Sequence, residues 1–141
     1  MREAVRDGLV AGSVGGILGG APSTLHALAT GGDVLESTRA AGSMVLPWVD
    51  DDETLLTAGA NVHVAVSLFW GVVLAQVVPR RTVPRASIAF AAAAGLAIAA
   101  VDLGLIGRLF PRIRALPRAP QVADHVAFGA VVGAVLAWRR R

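Results

Sequence analysis

The stretch Gly8–Ala29, GLVAGSVGGILGGAPSTLHALA, decides the fold of this chain. Within it, glycine recurs at every fourth position, at Gly8, Gly12, Gly16 and Gly20. In water, each of these glycines would destabilise a helix by roughly 1 kcal/mol relative to alanine. In lipid the helix is kept, because its backbone groups have no water to bond, and small residues let a second helix approach closely. The stretch therefore predicts a membrane-spanning helix with a glycine zipper along one face.

Three further apolar runs follow, Leu55–Val78, Ala86–Gly107 and Val122–Trp138. Each is near the roughly 20 residues that cross the hydrocarbon core of a bilayer. Hydrophobic residues make up 55% of the chain, against about 45–50% in ordinary soluble domains. We predict an all-α bundle of four transmembrane helices in a single domain, residues 1–141. The first run, with Ala27-Leu28-Ala29 at its end, also fits a signal peptide, but its length favours a retained span.

The basic residues indicate how the chain is oriented in the membrane. All 13 are arginine, which we attribute to GC-rich codon usage, and they flank the apolar runs. Four spans place eight of them on the side of both termini and five on the other side. The positive-inside rule then predicts a multi-pass protein of the cytoplasmic (inner) membrane with both termini in the cytoplasm. We expect the lipid bilayer as a partner and no nucleic acid. The absence of cysteine excludes disulfides and thiolate metal sites.

Two segments lie on the outer side in this topology. Between spans 1 and 2, Asp33 to Trp48 predicts a short interfacial helix, with Asp33 and Glu36 spaced as a capping box. The alternative is a loop that packs over the bundle. Between spans 3 and 4, RLFPRIRALPRAPQ contains three prolines, which exclude a long regular helix. The first segment also carries the acidic run Asp50–Glu53 and the second carries four arginines. The two segments share a face, so their opposite charges could pair.

Spans 2 and 4 resemble each other. HVAVSLFWGVVLA from His63 and HVAFGAVVGAVLA from His125 agree at seven of thirteen positions. Small residues, which mark helix contacts in membranes, lie four and eight places after each histidine: Ser67, Gly71, Gly129 and Gly133. A true repeat predicts two parallel helical hairpins, spans 1–2 and 3–4, related by an axis along the membrane normal. The alternative is that the shared Ala, Val, Gly and Leu composition produces the similarity.

The ionisable residues inside the spans all fall toward the outer ends of the helices. Together with one amide they are His26, His63, Asp102, Asp124, His125 and Asn61. At 1.5 Å per residue, they lie within roughly 10 Å of those ends. A buried carboxylate costs about 2.5–3.5 kcal/mol on insertion scales, so a histidine, a shared proton or a cation is expected beside Asp102. The sequence therefore predicts a buried His/Asp cluster near the outer leaflet.

Three interpretations of this cluster stay open. The first is hydrogen bonding between helices, at about 0.6 kcal/mol a contact. The second is proton or cation transport, since histidines beside a carboxylate suit a relay. The third is a metal or haem site with His26, His63 and His125 as ligands, although no two histidines have helical ligand spacing.

The leading functional expectation is a non-enzymatic membrane component, an accessory subunit or a homo-oligomeric scaffold in a larger membrane complex. The sequence contains no G-x-S-x-G, H-E-x-x-H or phosphate-loop motif. The phrases GGAPSTLHAL, ESTRAAGSMVLP and PQVADHVAFGAVVGAVL resemble uncharacterised small four-span integral membrane proteins of high-GC bacteria. The resemblance covers most of the chain, implies no activity or cofactor, and transfers no functional residue.

Overall fold

The computed structural model describes residues 1–141 as helices joined by loops, without strands. The α-helices are α1 (Arg2–Leu18), α2 (Ala21–Thr30), α3 (Glu36–Gly42), α4 (Asp52–Val77), α5 (Pro84–Asp102), α6 (Pro111–Ala115) and α7 (Arg118–Arg139). A short 3₁₀ helix, Ile106–Leu109, connects α5 to α6. Four helical segments are long and apolar enough to cross a membrane: Arg2–Thr30, Asp52–Val77, Pro84–Leu109 and Arg118–Arg139. The prediction of an all-α chain with four long apolar helices is confirmed.

The long helices pack in the order α4, α1, α7, α5. Helix α1 lies along α4, α5 lies along α7, and α1 also contacts α7, which joins the two pairs. Helices α4 and α5 barely contact each other. We call the end that carries both chain termini and residues 79–83 the terminal end, and the opposite end, with α3 and α6, the loop end. The bundle is therefore open along the side between α4 and α5.

Small residues allow α1 and α4 to approach each other at backbone distance. A Cβ atom on Gly12 would lie 2.5 Å from the Ser67 carbonyl oxygen, and one on Gly71 would lie 2.5 Å from the Gly12 Cα. A Cβ on Gly8 would likewise lie 2.5 Å from the Val72 Cα. Any larger side chain at these positions would push the helices apart, which is why so much glycine is compatible with a tight helix pair.

Gly20 does not belong to this contact surface, and the prediction that placed it there is wrong. Nothing lies within 4 Å of the position its Cβ would take. The physical reason is a break in the first span, where α1 ends at Leu18 and α2 begins at Ala21. Pro22 has no backbone N–H to donate into the preceding turn. Gly16 still faces the Ser67 side chain on α4, at a would-be Cβ distance of 2.8 Å.

Helices α5 and α7 pack in the same manner. A Cβ on Gly133 would lie 2.7 Å from the Ser87 carbonyl oxygen, and one on Gly129 would collide with the Ala91 carbonyl. Gly95 of α5 would collide in turn with the carbonyl of His125.

The segment between spans 1 and 2 is less helical than predicted. Helix α3 covers only Glu36–Gly42, and its N-cap is Leu35. The predicted capping box does not form, because the Asp33 carboxylate accepts from the Leu35 N–H at 2.8 Å while Glu36 binds arginine side chains. Whether α3 lies at a membrane interface stays a prediction.

Large apolar side chains cover the outside of the bundle. Ile17 is 81% exposed, Leu109 76%, Leu28 66% and Phe69 59%. In water this exposure would be unfavourable, whereas lipid tails solvate such side chains. The surface is consistent with a multi-pass membrane protein.

Candidate ligand-binding cavity

A cavity of about 380 Å³ lies in the loop-end half of the bundle. All the long helices contribute to its wall, and residues of α3 and α6 cover it at the loop end. We call it the loop-end cavity. Its polar and aromatic lining includes Ser23, His63, Trp70, Asp102, Gln121, Asp124, His125 and Phe128. The volume is within the range of about 300–1,000 Å³ that is usual for small-molecule sites.

Asp102, the last residue of α5, connects three helices within this cavity. Its Oδ2 atom accepts a hydrogen bond from the indole Nε1 of Trp70 on α4, at 3.1 Å. The same oxygen lies 3.5 Å from Nε2 of His125 on α7. The carboxylate therefore joins α4 to α5 across the side of the bundle where the two backbones barely meet.

His125 lies against the Asp102 carboxylate. The Nδ1 atom of His125 lies 2.8 Å from the Gln121 carbonyl oxygen, which can only accept, so Nδ1 carries a hydrogen. Nε2 then faces the Asp102 carboxylate at 3.5 Å, and a proton on Nε2 would turn this contact into an ion pair.

Asp124 lies next to His125 on α7 and makes a different contact. Its Oδ1 atom accepts from the Ser23 backbone N–H at 2.8 Å. Ser23 lies in the first turn of α2, where the helix dipole is positive and N–H groups lack partners within the helix. No arginine lines the cavity, so this carboxylate has no cationic side chain beside it apart from the histidines.

His63 lines the cavity from α4. Its Nε2 atom lies 2.8 Å from the Gly16 carbonyl oxygen, so Nε2 is the donor and Nδ1 is left as an acceptor in the neutral ring. The carbonyl is reachable because Gly16 carries no side chain. The two histidines that the sequence repeat aligns thus form different hydrogen bonds, one across helices and one within α7.

Two of the six predicted cluster residues lie elsewhere. His26 is exposed and does not line the cavity, because the break before α2 turns Ser23 rather than His26 toward α7. Asn61 is also exposed, and its amide donates to the Thr57 carbonyl of its own helix at 2.8 Å. It lies two residues from His63, about 200° around the helix. The expectation that all six belong to one polar cluster is therefore wrong for these two.

The histidines do not form a metal-ligand set. No group of three or more His, Asp or Glu side chains lies close enough to hold a metal ion. His26, His63 and His125 cannot bind one metal ion together, because His26 is exposed on the outer surface. The prediction of a three-histidine site is corrected on this geometry.

Ion pairs fix the cover of the cavity. Glu36 of α3 accepts from Arg112 of α6 at 2.7 and 3.1 Å, and from Arg39 at 3.2 Å. Hydrogen bonding from Arg112, followed by its positive charge, lowers the pKa of Glu36 despite partial burial. Gln121 also donates to the Ser37 hydroxyl at 2.9 Å. The two segments that cover the cavity therefore do pair through opposite charges. The acidic partner is Glu36 and not the acidic run, where Asp51 caps α4 instead.

The terminal-end half of the bundle is closed and apolar. Its buried core includes Ala11, Leu74, Val78, Val132 and Leu136. Below these residues, Arg139 of α7 pairs with Asp7 of α1 at 2.8 Å, and Arg140 donates to the carbonyls of Ala75 and Val78 at the end of α4.

Sequence analysis missed several contributors to the cavity. Trp70, Ser23, Gln121 and Phe128 form its polar and aromatic contacts with the predicted His/Asp residues. Only Trp70 carried a usable signal, since a tryptophan deep within a span has no headgroup to bond and needs a partner for its N–H.

Comparisons with known proteins add no assignment. No protein-family model matches the chain, and neither characterised proteins nor solved structures gave a match.

Proposed function

We propose that this protein is a non-enzymatic component of the cytoplasmic membrane that binds a small molecule in the loop-end cavity. One observation carries the proposal: four ionisable side chains and two aromatic rings line a single space of about 380 Å³ between the helices. Ionisable groups within a span are costly and indicate functional sites. If hydrogen bonding between helices were their only role, we would expect all of their polar atoms to be hydrogen-bonded to protein groups.

Several of these atoms are instead left without a protein partner. Oδ1 of Asp102, Oδ2 of Asp124 and Nδ1 of His63 receive no hydrogen bond, while the other polar atom of each side chain does. The two carboxylate oxygens are not sealed from solvent, because the only fully buried side-chain polar atom without a partner is Nε of Arg140, and His63 is an exposed residue. The cavity thus offers reachable acceptors to a bound molecule.

The membrane arrangement completes the proposal. Both termini lie at the terminal end together with eight arginines, which supports a cytoplasmic location for that end. The bundle is two hairpins in this view: Ser67 and Gly71 face α1, while Gly129 and Gly133, at the corresponding places in α7, face α5. This correspondence supports the internal repeat. As an accessory subunit or a homo-oligomer, the protein would pack against other subunits through its exposed apolar surface. Such packing would leave the cavity free to bind a ligand.

Proton or cation transport is the second candidate, favoured by the position of the His125 imidazole 3.5 Å from the Asp102 carboxylate. Transport would also need a path to the terminal end, where Leu74, Val132 and Leu136 are fully or almost fully buried in an apolar core. Binding requires no such path.

The test is a fluorescence titration of purified protein in mild detergent. Trp48 and Trp138 are replaced by phenylalanine, so that Trp70 is the only reporter. Three small aromatic probes of similar size are used: phenethylamine, phenylpropanol and hydrocinnamate. We expect saturable quenching by at least one, and its loss in Ala41→Phe, which adds a ring to the cavity wall. The matched control Ala60→Phe, on an exposed face of α4, should bind normally. Absence of saturable quenching by all three probes would overturn the proposal and favour the scaffold interpretation.

A further inference from the structure

The two carboxylates of the loop-end cavity leave acceptor atoms unpaired. The hydroxyls of Ser23 and Thr24 donate to the Gly20 carbonyl, at 3.2 and 2.9 Å. The indole N–H of Trp70 donates to Asp102, and Nδ1–H of His125 donates to the Gln121 carbonyl. Oδ1 of Asp102 and Oδ2 of Asp124 receive no hydrogen bond, while the hydroxyls of Ser37, Thr38 and Ser67 line the same space. An ammonium group would satisfy both carboxylates, because it brings two or three donors and no acceptor.

The charged groups of the cavity also favour a cationic ligand. His125 lies against Asp102, with 3.5 Å between Nε2 and Oδ2, whereas Asp124 pairs with no side chain and accepts only from the Ser23 N–H. No arginine or other permanent cation lines the cavity to compensate the Asp124 carboxylate. The Ser23 N–H supplies only the partial charge of a helix N-terminus. An uncompensated carboxylate is unfavourable at this depth, so a bound monocation would supply the missing partner.

The remaining wall suits the apolar part of such a ligand. Ile98, Val66, Phe128 and Trp70 line the cavity alongside the acidic groups. Aromatic rings attract cations by about 0.5–2 kcal/mol where water is excluded. The cavity would hold a molecule with one ammonium group and a small apolar body, and the Trp70–Asp102 contact bridges the open side between α4 and α5.

We infer that the ligand class of this cavity is a small organic monocation, a protonated amine with an apolar substituent, whose charge is paired by Asp124. The inference rests on the proposed function and narrows it. Asp124 is the counter-ion and Asp102 is a second acceptor, while His125 and Trp70 hold Asp102 in place.

The experiment compares the three probes on the protein that retains Trp70 alone. Phenethylamine should bind about tenfold or more tightly than phenylpropanol, and hydrocinnamate should bind least, since hydrogen bonds to a charged group carry the preference. Asp124→Asn should weaken amine binding by about tenfold while leaving phenylpropanol unchanged. Asp124→Glu, which restores the charge, should recover most of the affinity. The control Asp50→Asn removes an equal charge from an exposed loop and should change nothing.

The possible outcomes distinguish the inferred ligand class from the existence of a binding cavity. If phenylpropanol or hydrocinnamate binds as well as the amine, or if Asp124→Asn leaves amine binding intact, the inferred ligand class is wrong while a binding cavity remains. Failure of all three probes would remove both. Unchanged binding of phenylpropanol to Asp124→Asn also shows that this variant is folded, so a selective loss of the amine cannot be attributed to unfolding.

Discussion

The indole Nε1 of Trp70 donates to Oδ2 of Asp102 at 3.1 Å, and this hydrogen bond links two helices, α4 and α5, whose backbones barely contact each other. The pairs α1–α4 and α5–α7 instead meet through small residues at backbone distance. Here the separation between α4 and α5 leaves room for the loop-end cavity, and one side-chain contact bridges it.

Removing this bridge should loosen α4 from α5 without changing either helix pair. Trp70→Phe keeps the ring and deletes the N–H, so we expect a loss of about 1 kcal/mol in the free energy of unfolding in detergent. Trp138→Phe, at a 66% exposed position, is the matched control and should leave the unfolding free energy unchanged. Equal stability of the two variants would show that the hydrogen bond does not hold the helices together.

Gly12 and Gly20 provide a second test, because they belong to the same span and have opposite environments. Gly12→Ala would place a methyl 2.5 Å from the Ser67 carbonyl oxygen, and we expect destabilisation of about 1–3 kcal/mol from overpacking. Gly20→Ala meets nothing within 4 Å and should be neutral or slightly stabilising. Chemical unfolding of both variants in one detergent measures the difference. A similar cost for both would contradict the close α1–α4 contact.

The helices could be predicted because their physics is local. Twenty-residue apolar runs indicate spans whatever they pack against, and small residues at every fourth position indicate a contact face. The Gly19–Gly20 break was not predictable in the same way. Pro22 is compatible with a kink or with a new helix, and only the contacts of α2 with α7 decide between them.

The site was predicted in part for the same reason. Depth along a helix follows from residue number, and His63, Asp102, Asp124 and His125 line one cavity. Direction depends on helix rotation, which the sequence constrains poorly. His26 was assigned to the cluster on the assumption of an unbroken helix, whereas Ser23 lies beside Asp124 in the structure.

The cover of the cavity should respond to acid through Glu36. Its pKa is lowered mainly by the hydrogen bond from Arg112, so the unfolded chain binds the proton more readily than the folded one. The stabilisation is complete above the ordinary glutamate pKa of about 4.3 and is lost as pH falls through the lower folded value. Glu36 is about a third exposed, so the pair should contribute less than about 1 kcal/mol.

Arg112→Gln isolates this contribution from the other carboxylates. We expect the variant to be less stable than the parent at neutral pH, with the difference shrinking toward zero below about pH 4. Unfolding curves across that range measure it. Arg114→Gln, an exposed neighbour without a salt bridge, is the control. A difference independent of pH would mean that Arg112 acts by packing and not by pairing with Glu36.

At the terminal end, the ion pair between Asp7 and Arg139 should hold α1 against α7. Both side chains are largely buried, at 11% and 20% exposure, so removing one partner leaves a poorly solvated charge. We expect Asp7→Asn or Arg139→Gln alone to cost about 3 kcal/mol of unfolding free energy, and the double variant to cost less than the sum. A double-mutant cycle measures this coupling. Strictly additive effects would show that the two charges do not interact.

The apolar core between the loop-end cavity and the terminal end predicts that the protein does not conduct protons. Leu74, Val132 and Leu136 are fully or almost fully buried there, and the buried polar side chains of α4 and α5, Ser67 and Ser87, are not ionisable. Liposomes containing the protein should therefore hold a pH gradient between about 5.5 and 7.5 as long as empty ones do. An added protonophore should collapse the gradient in both. A leak specific to the protein, and abolished by Asp102→Ala or His63→Ala, would contradict a closed core and establish transport through the His/Asp groups. A leak that persists in both variants would indicate disturbed lipid packing instead, since the two substitutions remove the only candidate relay residues on α4 and α5.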